Sequence, residues 1–319
     1  MALTWRVRVL GAALDRAVEP FTAMSDRKRR MLRAHAGPRW IGELLNGRPD
    51  RRAEVTEVVV PGPAGAIPAL VYRSGTRAGE RLPVVVTLPG GGFVFGDRFM
   101  TAWWSSRLAA RLPAVVVSAG YRLAPESPAP AAREDCDALT MWVASNAADL
   151  GGDAGRLALV GESAGATLVA AVTLVARERG GPHIRAQGLL QGAFDLRPGS
   201  PMMKPPANWP FGRPSDAADA VAAYLGDRGD PGDPLISPQL ARDHAGLPPA
   251  FVLTTDHDYL REDGERYAAA LRAGGVRVEH AHYSDSPHGI FSFPGWCKAS
   301  GPALDRLTAF LRRELAPLP

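Results

Sequence analysis

The stretch Leu157-Ala158-Leu159-Val160-Gly161-Glu162-Ser163-Ala164-Gly165-Ala166-Thr167-Leu168-Val169 decides how this chain is read. A short apolar run meets a Gly-x-Ser-x-Gly pentad, and a second apolar run follows with no charge from Ala164 to Ala176. That order predicts a buried strand, a tight reversal and a buried helix. The reversal calls for glycine on both flanks, because side chains there would collide where the chain doubles back. The serine is then displayed at a helix N-terminus, where the peptide dipoles favour developing negative charge. A serine held this way is a candidate nucleophile, and the strand before it and the helix after it lift the pentad above a chance match.

Working outward, the same alternation recurs. Val55–Val60 and Ile67–Tyr72 flank a Pro-Gly-Pro-Ala-Gly turn and predict an antiparallel pair. Pro83–Leu88, Ala114–Ser118, Leu157–Val160, Ala186–Leu190, Ala250–Thr254 and Val276–His282 read as further strands. Helical stretches are expected near 101–111, 130–148, 165–178, 263–273 and 301–314. Continuous apolar runs alternating with helices predict an α/β fold, with a mostly parallel central sheet covered on both faces.

Two segments stand apart. Residues 1–50 carry Leu3, Val7, Leu10, Leu14, Val18 and Phe21 at three- and four-residue steps. Such a stripe is expected to pack on its own protein rather than on a membrane surface. Residues 196–236 hold eight prolines, with Met202, Met203, Trp209 and Phe211 among them and a short helical stretch near 215–225. An insertion of this length inside a compact domain is the mark of a lid or binding element. The expected organisation is one core (51–195 and 237–319) with a cap made of 1–50 and 196–236.

Composition narrows the function classes. The chain has 319 residues and a formal charge of +4, yet only three of its 37 basic residues are lysine. The one dense basic run, Arg27-Lys28-Arg29-Arg30, reads as a solvated helix face, and no nucleic-acid motif accompanies it. Cys136 and Cys297 sit in no CxxC or metal-ligand spacing, which fits a reducing compartment. Arg6 and Arg8 interrupt any signal-like apolar region, and no apolar run is long enough to span a membrane. The expectation is a cytoplasmic protein without stable membrane insertion, monomeric or homodimeric.

A serine hydroxyl needs a base, and the base an orienting carboxylate. After the strand Ala250–Thr254 come Asp256 and Asp258; after the strand ending at His282 comes Asp285-Ser286-Pro287-His288-Gly289. His288 is favoured as the base over His257, His280 and His282 because its Pro-His-Gly loop can project the ring over the sheet edge. Position alone leaves both aspartates open as the acid. Glu262 and Asp263 are expected to support the start of the next helix. Pro89-Gly90-Gly91-Gly92 ends the strand Pro83–Leu88 and offers backbone N–H groups that could converge on a developing oxyanion.

Several motifs together resemble the hormone-sensitive-lipase-like family of α/β-hydrolase esterases. They are PGGGFVFG at 89–96, YRLAPE at 121–126, GESAG at 161–165, Ser237-Pro238, Leu247-Pro248-Pro249, the run Asp258–Gly264 and His288-Gly289. The resemblance implies an α/β-hydrolase core of about eight strands with a helical cap. It implies Ser163 as nucleophile, Asp258 as acid, His288 as base, and the N–H groups of Gly91, Gly92 and Ala164 as the oxyanion hole. It implies no metal or cofactor, and a short-chain acyl or acetyl ester of a small molecule as substrate. Two positions depart from the family pattern: Glu162 stands where Asp is usual, and Pro89 where His is usual. Phe93, Phe95, Trp103, Trp104, Met202, Met203, Trp209 and Phe211 could line an apolar pocket or simply pack cap on core. Non-hydrolytic acyl transfer or cyclisation by the same residues is the alternative, and a non-catalytic ligand-binding module is the third.

Overall fold

Strands that are buried on both faces need continuous apolar runs, and the centre of this protein is built from them. A computed structural model describes residues 3–17, 19, 24–33, 39–75, 81–204 and 214–317. The strands are β1 (Ala53–Gly62), β2 (Gly65–Ser74), β3 (Leu82–Leu88), β4 (Val115–Ala119), β5 (Gly152–Glu162), β6 (Ile184–Leu190), β7 (Ala250–His257) and β8 (Val278–Pro287). They form one eight-stranded sheet in the order β1-β2-β4-β3-β5-β6-β7-β8. β2 runs antiparallel to β1 and to β4, and the other pairs are parallel. The first hairpin closes at Gly62 and Gly65, leaving Pro63-Ala64 as a two-residue turn.

The helices are α1 (Trp5–Ala17), α2 (Asp26–Arg33), α3 (Arg39–Asn46), α4 (Ala102–Arg111), α5 (Ala131–Ser145), α6 (Ala164–Arg179), α7 (Pro214–Leu225), α8 (Arg261–Ala273) and α9 (Ser300–Glu314). Side chains alternate across β3: Val84 and Val86 join one hydrophobic cluster with α5, α6 and α8, and Val85 joins another with α4 and α9. Each fully buried Val, Leu or Phe in these layers is worth about 1.5–3 kcal/mol.

The expected elements are present, with shifted ends. β8 runs on through Asp285, Ser286 and Pro287, where the sequence predicts a loop, so the loop itself begins at His288. β5 starts early, at Gly152, which pairs with Leu82 ahead of a register shift at Pro83/Val84. In the N-terminal stripe Val7 and Leu10 are buried, whereas the side chain of Leu14, and Val18 and Phe21, lie outside the described residues. No helix among the described residues is long and apolar enough to cross a membrane.

Candidate active site

Ser163 joins β5 to α6 with φ 55° and ψ −123°, a left-handed region that costs a non-glycine residue about 1–3 kcal/mol. The surroundings hold it there. Its N–H donates to the Leu190 carbonyl at 2.8 Å, and its carbonyl accepts from Ala166 and Thr167 at 2.9 and 3.2 Å. The flanking glycines are sterically required: a Cβ on Gly161 would run into the Gly165 carbonyl, and one on Gly165 into the Leu88 carbonyl of β3.

The C-terminal ends of β5, β7 and β8 bring three side chains together. Ser163 Oγ lies 2.8 Å from His288 Nε2, and His288 Nδ1 lies 3.0 Å from Asp258 Oδ1. Asp258 is buried, and its Oδ1 also accepts from the Leu260 N–H at 2.8 Å. Asp256, the rival acid, faces the other way, bonded to Arg261 at 2.6 Å and to His282 Nε2 at 3.0 Å. His280 and His282 both contact Thr254 Oγ1, at 2.8 and 2.9 Å, and neither lines the cavity that holds the serine. Burial pulls the His288 pKa down. The Asp258 charge, its hydrogen bond and the Glu162 charge outweigh that and leave it above the ordinary imidazole value.

Two residues that motif reading did not place in the site hold this corner. Glu162 is buried, with Oε1 accepting from the Phe291 N–H at 2.8 Å and Oε2 from the Ser292 hydroxyl, so it grips the loop just after the histidine. Burial raises its pKa, and those hydrogen bonds oppose the rise. Gln191, the first residue after β6, reaches Asp258 and the backbone on both sides of His288. Its one sequence signal is a polar side chain directly after the apolar pair Leu189-Leu190, and Gln187 within the same strand shows how weak that signal is. Asp263 sits with Glu262 in the first turn of α8, where both were expected, and also accepts from the Phe194 and Asp195 N–H groups. Burial pushes its pKa up to about 6 despite those hydrogen bonds.

The glycine loop is left-handed at consecutive positions, with φ 116° at Gly91, 62° at Gly92 and 65° at Phe93. A Cβ on Gly91 would strike the Phe95 carbonyl, so only glycine fits. Segment 121–126 braces this loop: Tyr121 Oη donates to the Pro89 carbonyl at 2.9 Å, and the Ala124 N–H to the Phe93 carbonyl at 3.0 Å. Arg33 of α2 adds a third brace, donating to the Val94 and Ala124 carbonyls at 2.9 and 2.5 Å and pairing with Glu126 at 2.7 Å. From above, Tyr224 of α7 stacks on Phe93 with ring centroids 3.8 Å apart.

Loop, serine and histidine line one cavity of about 330 Å³, together with Ala164, Phe93, Phe95, Met24, Met100 and Met202. Trp104, expected at this pocket, does not line it. It is buried on the opposite face of the sheet, tilted against Phe291 at 5.9 Å, because α4 turns its apolar stripe inward there. Trp209 and Phe211 lie outside the described residues. Among the described residues no group of three or more His, Cys, Asp and Glu side chains is placed to hold a metal ion.

Residues 85–292 match the family described as alpha/beta hydrolase fold. Esterase LipI of Mycobacterium tuberculosis is 37% identical over 81% of this chain and 81% of its own length. Carboxylic ester hydrolase LipN of the same organism is 38% identical over 89% of this chain and 76% of its own. A solved hyperthermophilic esterase from Pyrobaculum calidifontis superposes with a TM-score of 0.88 at 34% identity, covering 99% of this chain and 100% of that one. This chain is an α/β-hydrolase of the hormone-sensitive-lipase-like esterase family.

Pro89 heads the glycine loop, at the position where the sequence resemblance leads one to expect histidine. In this hydrolase the position contributes its carbonyl, held by Tyr121, and the left-handed turn begins only two residues later at Gly91. Proline, which has no N–H to offer and a fixed φ, is compatible with that use.

Proposed function

We propose that this esterase cleaves short-chain acyl esters of small molecules with Ser163 as nucleophile, His288 as base and Asp258 as orienting acid. The observation that carries the proposal is the continuous contact Ser163 Oγ–His288 Nε2–His288 Nδ1–Asp258 Oδ1, at 2.8 and 3.0 Å, with Ser163 and His288 lining a cavity. Ser163 Oγ attacks the ester carbonyl as its proton passes to His288 Nε2. The carbonyl oxygen becomes an oxyanion facing the N–H groups of Gly91, Gly92 and Ala164. Collapse breaks the carbon–alkoxide bond, and His288 returns the proton to the leaving alcohol. Water, deprotonated by His288, then attacks the acyl-serine, and His288 returns that proton to Ser163 Oγ as the acyl–oxygen bond breaks and the acid leaves.

Phe93, Phe95 and Met202, with Met24 and Met100, form an apolar wall suited to a short acyl chain. Segments 1–50 and 196–236 act as the cap over a core of 51–195 and 237–319. Glu19 and Met24 from the first segment, and Met202, Asp216, Ala217, Ala220 and Val221 from the second, line the cavity. Cys136 and Cys297 are both buried and unbridged, which supports a cytoplasmic setting for a monomer or homodimer.

The test is hydrolysis of p-nitrophenyl acetate, butyrate and octanoate by the wild type and by Ser163→Ala. Turnover that favours acetate and butyrate and vanishes in the variant is expected. Absence of turnover from a folded wild type would overturn the esterase reading and direct the search to an acyl acceptor other than water.

A further inference from the structure

We infer that Gln191 is the positioning residue of the acid–base pair: its single amide sets both the carboxylate of Asp258 and the loop that carries His288. The inference rests on the roles proposed above for those two residues. Gln191 is buried and left-handed, with φ 51°, a strain that persists only where the surroundings hold it. Its Nε2 lies 3.0 Å from Asp258 Oδ2, 2.8 Å from Thr255 Oγ1 and 2.9 Å from the Pro287 carbonyl. Its Oε1 accepts from the N–H groups of Gly289 and Ile290 at 2.9 and 3.2 Å. The orientation of the amide is determined by these partners, since acceptors surround one end and backbone donors the other.

Asp258 Oδ1 faces His288 and the Leu260 N–H; Oδ2, its other oxygen, faces Gln191. One residue therefore stops the carboxylate from rotating off the imidazole and clamps the chain immediately before and after that imidazole. The clamp extends to the serine, because the Ser163 N–H is tied to Leu190, the adjacent residue. Gln191 touches no reacting atom, so its effect is on turnover rather than on substrate affinity.

Gln191→Met keeps the bulk and removes the hydrogen bonds; Gln191→Glu keeps the acceptors for Gly289 and Ile290 and donates to Asp258 only while protonated. The other titratable groups turned toward this corner are Glu162 from β5, Tyr259 beside His288, Cys297 near Glu162 and Asp263 of α8; all are unchanged in both variants. We expect kcat of Gln191→Met to fall at least 30-fold with KM within about threefold, and its melting temperature to stay within a few degrees. The downfield proton resonance of His288 Nδ1–H, read without substrate, is expected to shift or broaden. Gln191→Glu is expected to exceed Gln191→Met at the acid end of the pH profile and to lose that advantage as pH rises. A kcat for Gln191→Met within twofold of wild type overturns the inference. So does an equal loss in both variants at every pH with an unmoved imidazole resonance, which would mark a merely structural amide. Failure of the esterase reading is recognised separately, as absent Ser163-dependent turnover in the wild type, and the resonance still decides the role of Gln191.

Discussion

The glycine loop and the acid–base corner face each other across one cavity, yet they are held in opposite ways. The loop is propped from outside. Tyr121 and Ala124 brace it from the 121–126 segment, Arg33 bonds it from α2, and Tyr224 presses on it from α7. The corner is held from within, by buried polar side chains at the C-terminal ends of the strands: Glu162 at the end of β5, Gln191 just after β6 and Asp258 just after β7. A loop of left-handed residues has little side chain with which to fix itself and so borrows rigidity from its neighbours. A corner that must hold a charge needs partners with defined donor and acceptor ends, and buried hydrogen bonds supply them.

Substitutions of graded size test that contrast. The largest effect is expected at the corner: Asp258→Asn should lower kcat on the order of 10⁴-fold with the fold retained, measured as steady-state turnover beside circular dichroism. A loss below tenfold would mean that the acid lies elsewhere. Next comes the loop, where Gly91→Ala places a Cβ against the Phe95 carbonyl and displaces an oxyanion donor. A drop of about 10²–10³ in kcat is expected, with inhibition by a transition-state-like phosphonate weakened in step.

Glu162→Gln removes a charge that helps to keep His288 above its ordinary pKa. His288 must be neutral to accept the serine proton, so a raised pKa places the acid-side fall of kcat/KM above about pH 6.5. In the variant that fall should move to lower pH, while activity at the plateau drops about tenfold as one charge-assisted hydrogen bond is weakened. An acid limb that stays put would show that Glu162 acts only as a tether for residues 291–292. The smallest effect belongs to the props: Tyr224→Leu removes a stacked ring pair worth about 0.5–1.5 kcal/mol. It should cost kcat roughly two- to tenfold, and an effect confined to KM would break the contrast by making α7 a substrate contact alone.

Much of this architecture is legible in the residues. Buried parallel strands show as unbroken Val and Leu runs, and the crowded reversal shows as paired glycines around Ser163. What escapes is whatever depends on partners distant along the chain. Asp256 and Asp258 are two residues apart, and spacing cannot separate them. Arg261 and His282 occupy the first, whereas His288 meets the second. Trp104 looks like a pocket residue only until the helix it sits on is rotated into place; its stripe with Leu108 faces the far layer of the sheet. The contacts of Gln191 and Glu162 escaped for the same reason, since their partners at 287–292 lie between 96 and 130 residues further along.

Arg33 carries a last consequence. It fastens an N-terminal helix to the very loop whose N–H groups we propose face the reacting carbonyl. The helices above the cavity are therefore not an interchangeable lid: grafting them from a relative to alter selectivity would also retune the catalytic turn beneath, and a library built on such exchanges would find rate and preference inherited together.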